Sequence, residues 1–290
     1  MRLSRFTRLS CAVTAVAAPV IMFTTAAPVS ASGNGYVALG DSYTSGPLIL
    51  PLAPGAPAEC LQSAINYPHL AATALGLGLT DVSCGGATVS DMTSSQYPGV
   101  APQFSALTPA TSVVTLGIGG NDNNTFITSV LGCAALDVLD VLDIGTPCKD
   151  AFGSKFASSI ASDAPNIAAA LRGIHGLSPH AKVFVVGYPD ILPQSGNCYT
   201  QIPITTGDVA YLNGVELDLN GMLAAQAAAN GATFVNTYTP SIGHDACKPE
   251  SVRWIEPVLP GTDSAPVHPN AAGEAADARV AEAAMQAAGI

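Results

Sequence analysis

Five short apolar segments rich in β-branched residues, at 35–39, 79–84, 112–118, 181–187 and 232–236, alternate with Ala- and Leu-rich stretches of helical spacing at 67–77, 158–173, 208–230 and 270–288. Continuous apolar runs of five to seven residues read as strands buried on both faces. Their alternation with helices implies parallel strands joined by right-handed crossovers. The expected fold class is therefore α/β: a three-layer α/β/α sandwich around a central parallel five-stranded sheet. No Pro/Ser/Gly-rich linker or internal repeat divides residues 32–290, which are read as one domain. Asn270 is the expected N-cap of the last helix, with Glu274 in its first turns to complement the dipole. Three irregular loops, 47–57, 123–147 and 189–203, follow strand or turn positions and contain or adjoin cysteines. Loops of that length in a compact domain are functional or covalently tied.

Residues 1–31 read as a secretory signal peptide. Arg2, Arg5 and Arg8 precede an apolar stretch from Cys11 to Phe23, and Val29-Ser30-Ala31 offers small residues for cleavage before Ser32. That stretch is too short for a permanent membrane span, and every later apolar run is cut by Gly, Pro or a charge. The expectation is a secreted, monomeric chain with no integral membrane segment once the signal is removed. Cleavage removes three arginines and no acid, taking the formal charge from −11 to −14. A phosphate-backbone binder needs a basic surface, so nucleic acid is excluded as a partner. Six cysteines follow Cys11, and an even number in an exported chain implies three disulfides; six cysteines allow fifteen connectivities, and spacing does not choose among them. No pair has metal-ligand spacing, so no metal site is expected.

Ser42 stands where the apolar run Tyr36-Val37-Ala38-Leu39 breaks into Gly40-Asp41-Ser42-Tyr43. A serine at the carboxyl end of a parallel strand lies on the edge where ligands bind in open α/β sheets. As a nucleophile it needs a base, and acyl transfer also needs fixed donors for the developing oxyanion. The chain offers His268 in Val267-His268-Pro269-Asn270 as base, Gly86 after the second strand as a close-approaching N–H, and Asn121 after the third as an amide donor. Each has a structural alternative: Ser42 as a helix cap, Gly86 as a turn glycine, Asn121 as a turn-stabilising side chain. Asp122 is expected to brace its loop. His69, His175 and His180 read as structural or surface residues, His244 as part of a disulfide-tied loop beside Cys247, and Trp254 as either an acyl-pocket wall or core filler.

Together, Gly40-Asp41-Ser42-Tyr43, Gly86-Ala87-Thr88, Gly119-Gly120-Asn121-Asp122 and His268-Pro269-Asn270 resemble, in order, the four blocks of the SGNH hydrolases of the GDSL esterase/lipase superfamily, its secreted actinobacterial branch in particular. The resemblance covers essentially all of residues 32–290 and implies a flavodoxin-like SGNH-hydrolase fold. It also implies carboxylic ester hydrolysis without a cofactor, Ser42 as nucleophile, His268 as general base, and an oxyanion hole from the Ser42 and Gly86 N–H groups and the Asn121 amide. It implies sequential disulfides, Cys60–Cys84, Cys133–Cys148 and Cys198–Cys247. One position departs from the common family pattern: three residues before the histidine, where many members carry an aspartate, stands Ala265. The main-chain carbonyl of Ala265 or Pro266 is the expected histidine partner, making a dyad, with the Asp263 carboxylate as rival. Activity is expected to rise through the ordinary imidazole range. The apolar Pro47–Pro54 segment favours lipid or other acyl esters. A carbohydrate acetyl esterase, or a non-catalytic cell-wall or lipid-binding protein on the same fold, are the alternatives.

Overall fold

The computed structural model describes residues 35–259, 261 and 263–290; the expected signal peptide lies outside them. All five expected strands form: β1 (Gly35–Gly40), β2 (Gly78–Asp81), β3 (Thr111–Gly117), β4 (Lys182–Val186) and β5 (Thr233–Val235). They make one sheet in the order β2-β1-β3-β4-β5, every pair parallel. The strands alternate between two buried faces. Val37, Leu39, Val114, Leu116, Val183 and Val185 enter one core cluster, while Tyr36, Ala38, Val113, Phe184 and Val186 enter the other. Burial on both faces explains why the strands are nearly continuous apolar runs.

Five helices matter for the site: α1 (Ser42–Ser45), α2 (Tyr67–Leu75), α3 (Lys155–Leu177), α4 (Thr206–Ala229) and α5 (Ala271–Ala287). Tyr67 and Ala72 of α2 share one core with Ala278, Ala281 and Met285 of α5. Ile167 and Leu171 of α3 and Leu219 and Leu223 of α4 fill the other. Asn270 caps α5, its side chain accepting from the Ala272 and Gly273 N–H groups. Glu274 is buried and accepts from the Tyr67 N–H at 2.7 Å, so it ties α5 to α2 rather than facing solvent at the helix end.

Strand order reverses between β1 and β3, which opens a crevice at their carboxyl ends. The turns that follow both strands meet there. The disulfides Cys60–Cys84, Cys133–Cys148 and Cys198–Cys247 tie down segments on this edge. Among the described residues, no helix is long and apolar enough to cross a membrane.

Candidate active site

The chain leaves β1 through a turn too tight for a side chain: a Cβ on Gly40 would lie 2.2 Å from Thr44 Oγ1 and 2.7 Å from the Gly117 oxygen. Gln103 clamps this glycine, its amide accepting from the Gly40 N–H at 2.8 Å and donating to the Gly40 carbonyl at 2.9 Å. Asp41 caps the short α1 by accepting from the Tyr43 N–H at 2.9 Å. Its second oxygen accepts from the Tyr188 hydroxyl at 2.5 Å, and that hydroxyl accepts from the Gly120 N–H at 2.8 Å. Burial pushes the Asp41 carboxyl up to about 7 despite these bonds. Ser42, as first residue of α1, has an N–H with no partner inside its helix.

His268 arrives from the opposite end of the chain. Its Nε2 lies 2.7 Å from Ser42 Oγ and its Nδ1 2.8 Å from the Pro266 carbonyl oxygen. A carbonyl only accepts, so Nδ1 carries the proton and Nε2 presents a lone pair to the serine hydroxyl. The Ala265 oxygen instead accepts from the His268 N–H at 3.2 Å. Asp263 is exposed and makes no hydrogen bond to His268. Burial without a carboxylate partner carries the imidazole down to about 4, the Pro266 bond opposing this only in part. The sequence expectation of an ordinary imidazole limb is thereby revised downward.

The base segment is held in an unusual way. Val267 has φ of +64°, a left-handed conformation that a β-branched residue rarely adopts. Its carbonyl accepts from the Tyr43 hydroxyl at 2.5 Å, and its N–H donates to the Glu256 carbonyl at 2.8 Å. The Tyr43 ring lies 4.8 Å from the imidazole and Phe126 packs at 5.8 Å from it. A buried Arg253–Glu256 ion pair at 2.7 Å supports the same segment, and Asn270 donates to Glu256 at 3.0 Å.

The oxyanion candidates also converge on this edge. Gly86 has φ of +76°, which only glycine adopts freely, and its N–H makes no hydrogen bond among the described residues. Asn121 donates one amide hydrogen to the Ala87 carbonyl at 3.0 Å, which fixes the side chain and leaves its second hydrogen available. Asp122 accepts from the Val89 N–H, at 3.1 Å to one oxygen and 3.2 Å to the other, and so braces the loop.

Next to Val267 and Phe126, and so close to the pair, lies a narrow and mostly apolar cleft of about 60 Å³, smaller than the ~300–1,000 Å³ of typical small-molecule sites. Phe126, Val130, Ile191, Leu192, Leu212 and Val267 are among its walls. Trp254 is in neither place the sequence suggested: it stacks on His244 at 3.8 Å, outside this cleft and not in the buried core. Tyr43, Gln103, Phe126 and Tyr188 were not singled out by sequence reasoning. Only Tyr43 carried a signal, its place beside Ser42. Among the described residues no cluster could hold a metal ion.

Residues 38–276 match the GDSL-like Lipase/Acylhydrolase family. Lipase 2 of Streptomyces coelicolor is 46% identical over 269 residues, covering 91% of this chain and 90% of that protein. The crystal structure of phospholipase A1 from Streptomyces albidoflavus superposes with a TM-score of 0.70 at 27% identity, covering 87% of this chain and 99% of that one. The extracellular lipase of Streptomyces rimosus gives a TM-score of 0.65 at 26% identity, covering 87% and 98%. These likenesses set aside the alternative of a non-catalytic binding protein. The chain belongs to the GDSL-like lipase/acylhydrolase family and is a carboxylic ester hydrolase.

Proposed function

We propose that this chain is a secreted, monomeric serine hydrolase of acyl-lipid esters that works by a Ser42–His268 dyad. The observation that carries the mechanism is the unbroken line from the Pro266 carbonyl through Nδ1 and Nε2 to Ser42 Oγ. His268 takes the serine proton as Oγ bonds to the ester carbonyl carbon. The oxyanion formed meets the Ser42 and Gly86 N–H groups and the free Asn121 hydrogen. The imidazolium then protonates the leaving alcohol, and the acyl group remains on Ser42. Water, deprotonated by His268, attacks the acyl-enzyme, and the released serine recovers the proton. None of these steps needs a cofactor.

Preference for acyl lipids over sugar esters is supported by the mostly apolar cleft and by exposed apolar side chains on two nearby segments. Leu48 and Leu50 are exposed on the segment whose Pro47 carbonyl accepts from the Ala265 N–H at 3.0 Å, and Ile127 and Leu131 are exposed on the helical run beyond Phe126. Export is supported by the character of residues 1–31 and by likeness to an extracellular lipase. The test is covalent labelling with a long-chain alkyl fluorophosphonate, paired with hydrolysis of p-nitrophenyl esters of increasing chain length. Wild type is expected to take one label and Ser42→Ala none, with turnover rising beyond the acetyl ester. Labelling that survives in Ser42→Ala would overturn the nucleophile, and an optimum at acetyl would overturn the lipid preference.

A further inference from the structure

The cleft is mostly apolar, with the hydroxyls of Thr125, Ser129 and Tyr188 and one carboxyl group among its lining residues. Glu216, on α4, is among its walls, and its Oε1 is buried with no hydrogen-bond partner. The other oxygen has only the Ile191 N–H, at a long 3.4 Å. A buried acceptor or donor left unpaired is destabilising, and nothing in the Ser–His chemistry uses this one. No cation faces it. Asp190 is the charged group that acts on it, and that carboxyl is itself pushed up to about 6 by burial and by Asp245. Burial likewise pushes Glu216 well above the usual carboxylate range, in the direction of the protonated form, which can both donate and accept.

The position is close to the chemistry. Gly120, Phe126, Tyr188 and Val267 share the cleft with Glu216. Val267 precedes His268 in the chain, Phe126 packs on the imidazole, and Tyr188 bonds to the Asp41 that precedes Ser42. Glu216 also lies close enough to be the leading electrostatic influence, after burial, on the Tyr43 phenol beside Ser42. Glu216 therefore brings a carboxyl oxygen without a partner to the wall of a cleft that adjoins the Ser42–His268 pair.

Building on the serine-esterase reading above, we propose that Glu216 selects acyl chains bearing a hydroxyl group at the depth of its free Oε1. A straight alkyl chain leaves that oxygen unpaired, whereas a hydroxyl placed opposite satisfies both groups at once. A site built to hydrogen-bond a substrate oxygen discriminates against the analogue that lacks it far more strongly than an apolar pocket discriminates between chain lengths. Glu216 is then a specificity-determining residue and takes no part in bond breaking.

The experiment compares kcat/KM for ethyl octanoate with its analogues hydroxylated singly at positions 3 to 8, in wild type, Glu216→Gln and Glu216→Leu, by titrating released acid. In a dry apolar cleft, burying an unpaired hydroxyl lowers kcat/KM by about 10- to 100-fold at every buried position. Wild type is expected instead to show one position at which the hydroxylated ester is hydrolysed at least as well as the plain one. Glu216→Gln should keep that preference, and Glu216→Leu should lose it by about tenfold or more while gaining on the plain chain. The proposal fails if wild type rejects the hydroxyl at every position, a result that does not depend on the variants folding. It also fails if the positional preference is the same in Glu216→Leu. Absence of turnover on all esters would instead count against the esterase reading itself.

Discussion

The two segments that bring Ser42 and His268 together are held by opposite means. The nucleophile turn is fixed many times over: Gln103 grips Gly40 at both its N–H and its carbonyl, the Asp41 N–H reaches Gly117 at 2.9 Å, and Asp41 ties Tyr43 and Tyr188. Its glycine fits a space where nothing larger would, so the turn carries no forced conformation. The base segment has a valine at positive φ, kept there by the Tyr43 hydroxyl and two backbone bonds to Glu256. The imidazole itself has one carbonyl where many relatives have a carboxylate. Redundancy therefore sits with Ser42, the proposed nucleophile, and sensitivity with His268, the proposed base.

The harshest way to break the comparison is to remove the base. His268→Ala should lower kcat by about 10⁴-fold or more, since the residues of such a unit act together and only oxyanion stabilisation and binding survive. Stopped or burst-phase kinetics with a p-nitrophenyl ester read it directly. A loss under about tenfold would mean that another group deprotonates Ser42.

A finer cut separates the two sides. Tyr43→Phe removes the side-chain bond to the strained Val267, so kcat should fall by about 10- to 100-fold with KM little changed, the scale of a misplaced catalytic group. Tyr188→Phe takes one bond from the over-determined turn and should cost only a few-fold in kcat. It should also destabilise the fold by about 1–3 kcal/mol through the unpaired Asp41 and Gly120 groups, measured by urea denaturation. The reverse order of kcat losses would overturn the assignment of sensitivity to the base.

This asymmetry also explains what could be read from the sequence. The strands were legible because burial on both faces leaves a plain apolar signature, and Gly40 and Asn270 were legible because a tight turn and a helix cap each demand particular residues. The partner of His268 was narrowed only to the Ala265 or Pro266 carbonyl, because every residue has a carbonyl and its direction follows from φ and ψ. Val267 gave no sign at all: valine is among the last residues a positive φ would suggest, and the bonds that hold it come from Tyr43 and Glu256, far away in the chain. The cleft walls, from Gly120 to Val267, likewise meet only through the fold, and nothing in the sequence sets Glu216 apart from the other polar residues of α4.

The pH profile sharpens the same point. In the proposed dyad a neutral imidazole is the working base, so kcat/KM should be lost as pH falls through the His268 pKa in the free enzyme. With that value drawn down to about 4, the rate should be flat from about pH 5.5 upward, to the point where the ester or the fold fails. An ordinary imidazole near 6.5 would already have lost about tenfold at pH 5.5. A limb centred near 6.5 would show that the imidazolium has a compensating charge nearby, against the dyad described above.

The smallest expected effect tests where that charge could come from. Asp263 is the carboxylate nearest in sequence to His268, but it is exposed and the Nδ1 hydrogen is already committed to Pro266. Asp263→Ala should therefore change kcat/KM by less than about twofold and leave the acid limb in place. Removing an aspartate that truly orients a catalytic histidine costs on the order of 10⁴-fold, so the two possibilities lie far apart. A large loss, or a limb that moves down by a unit or more in the variant, would place a carboxylate behind His268 during turnover. The base segment would then be re-formed by substrate, and the single carbonyl would describe only its resting state.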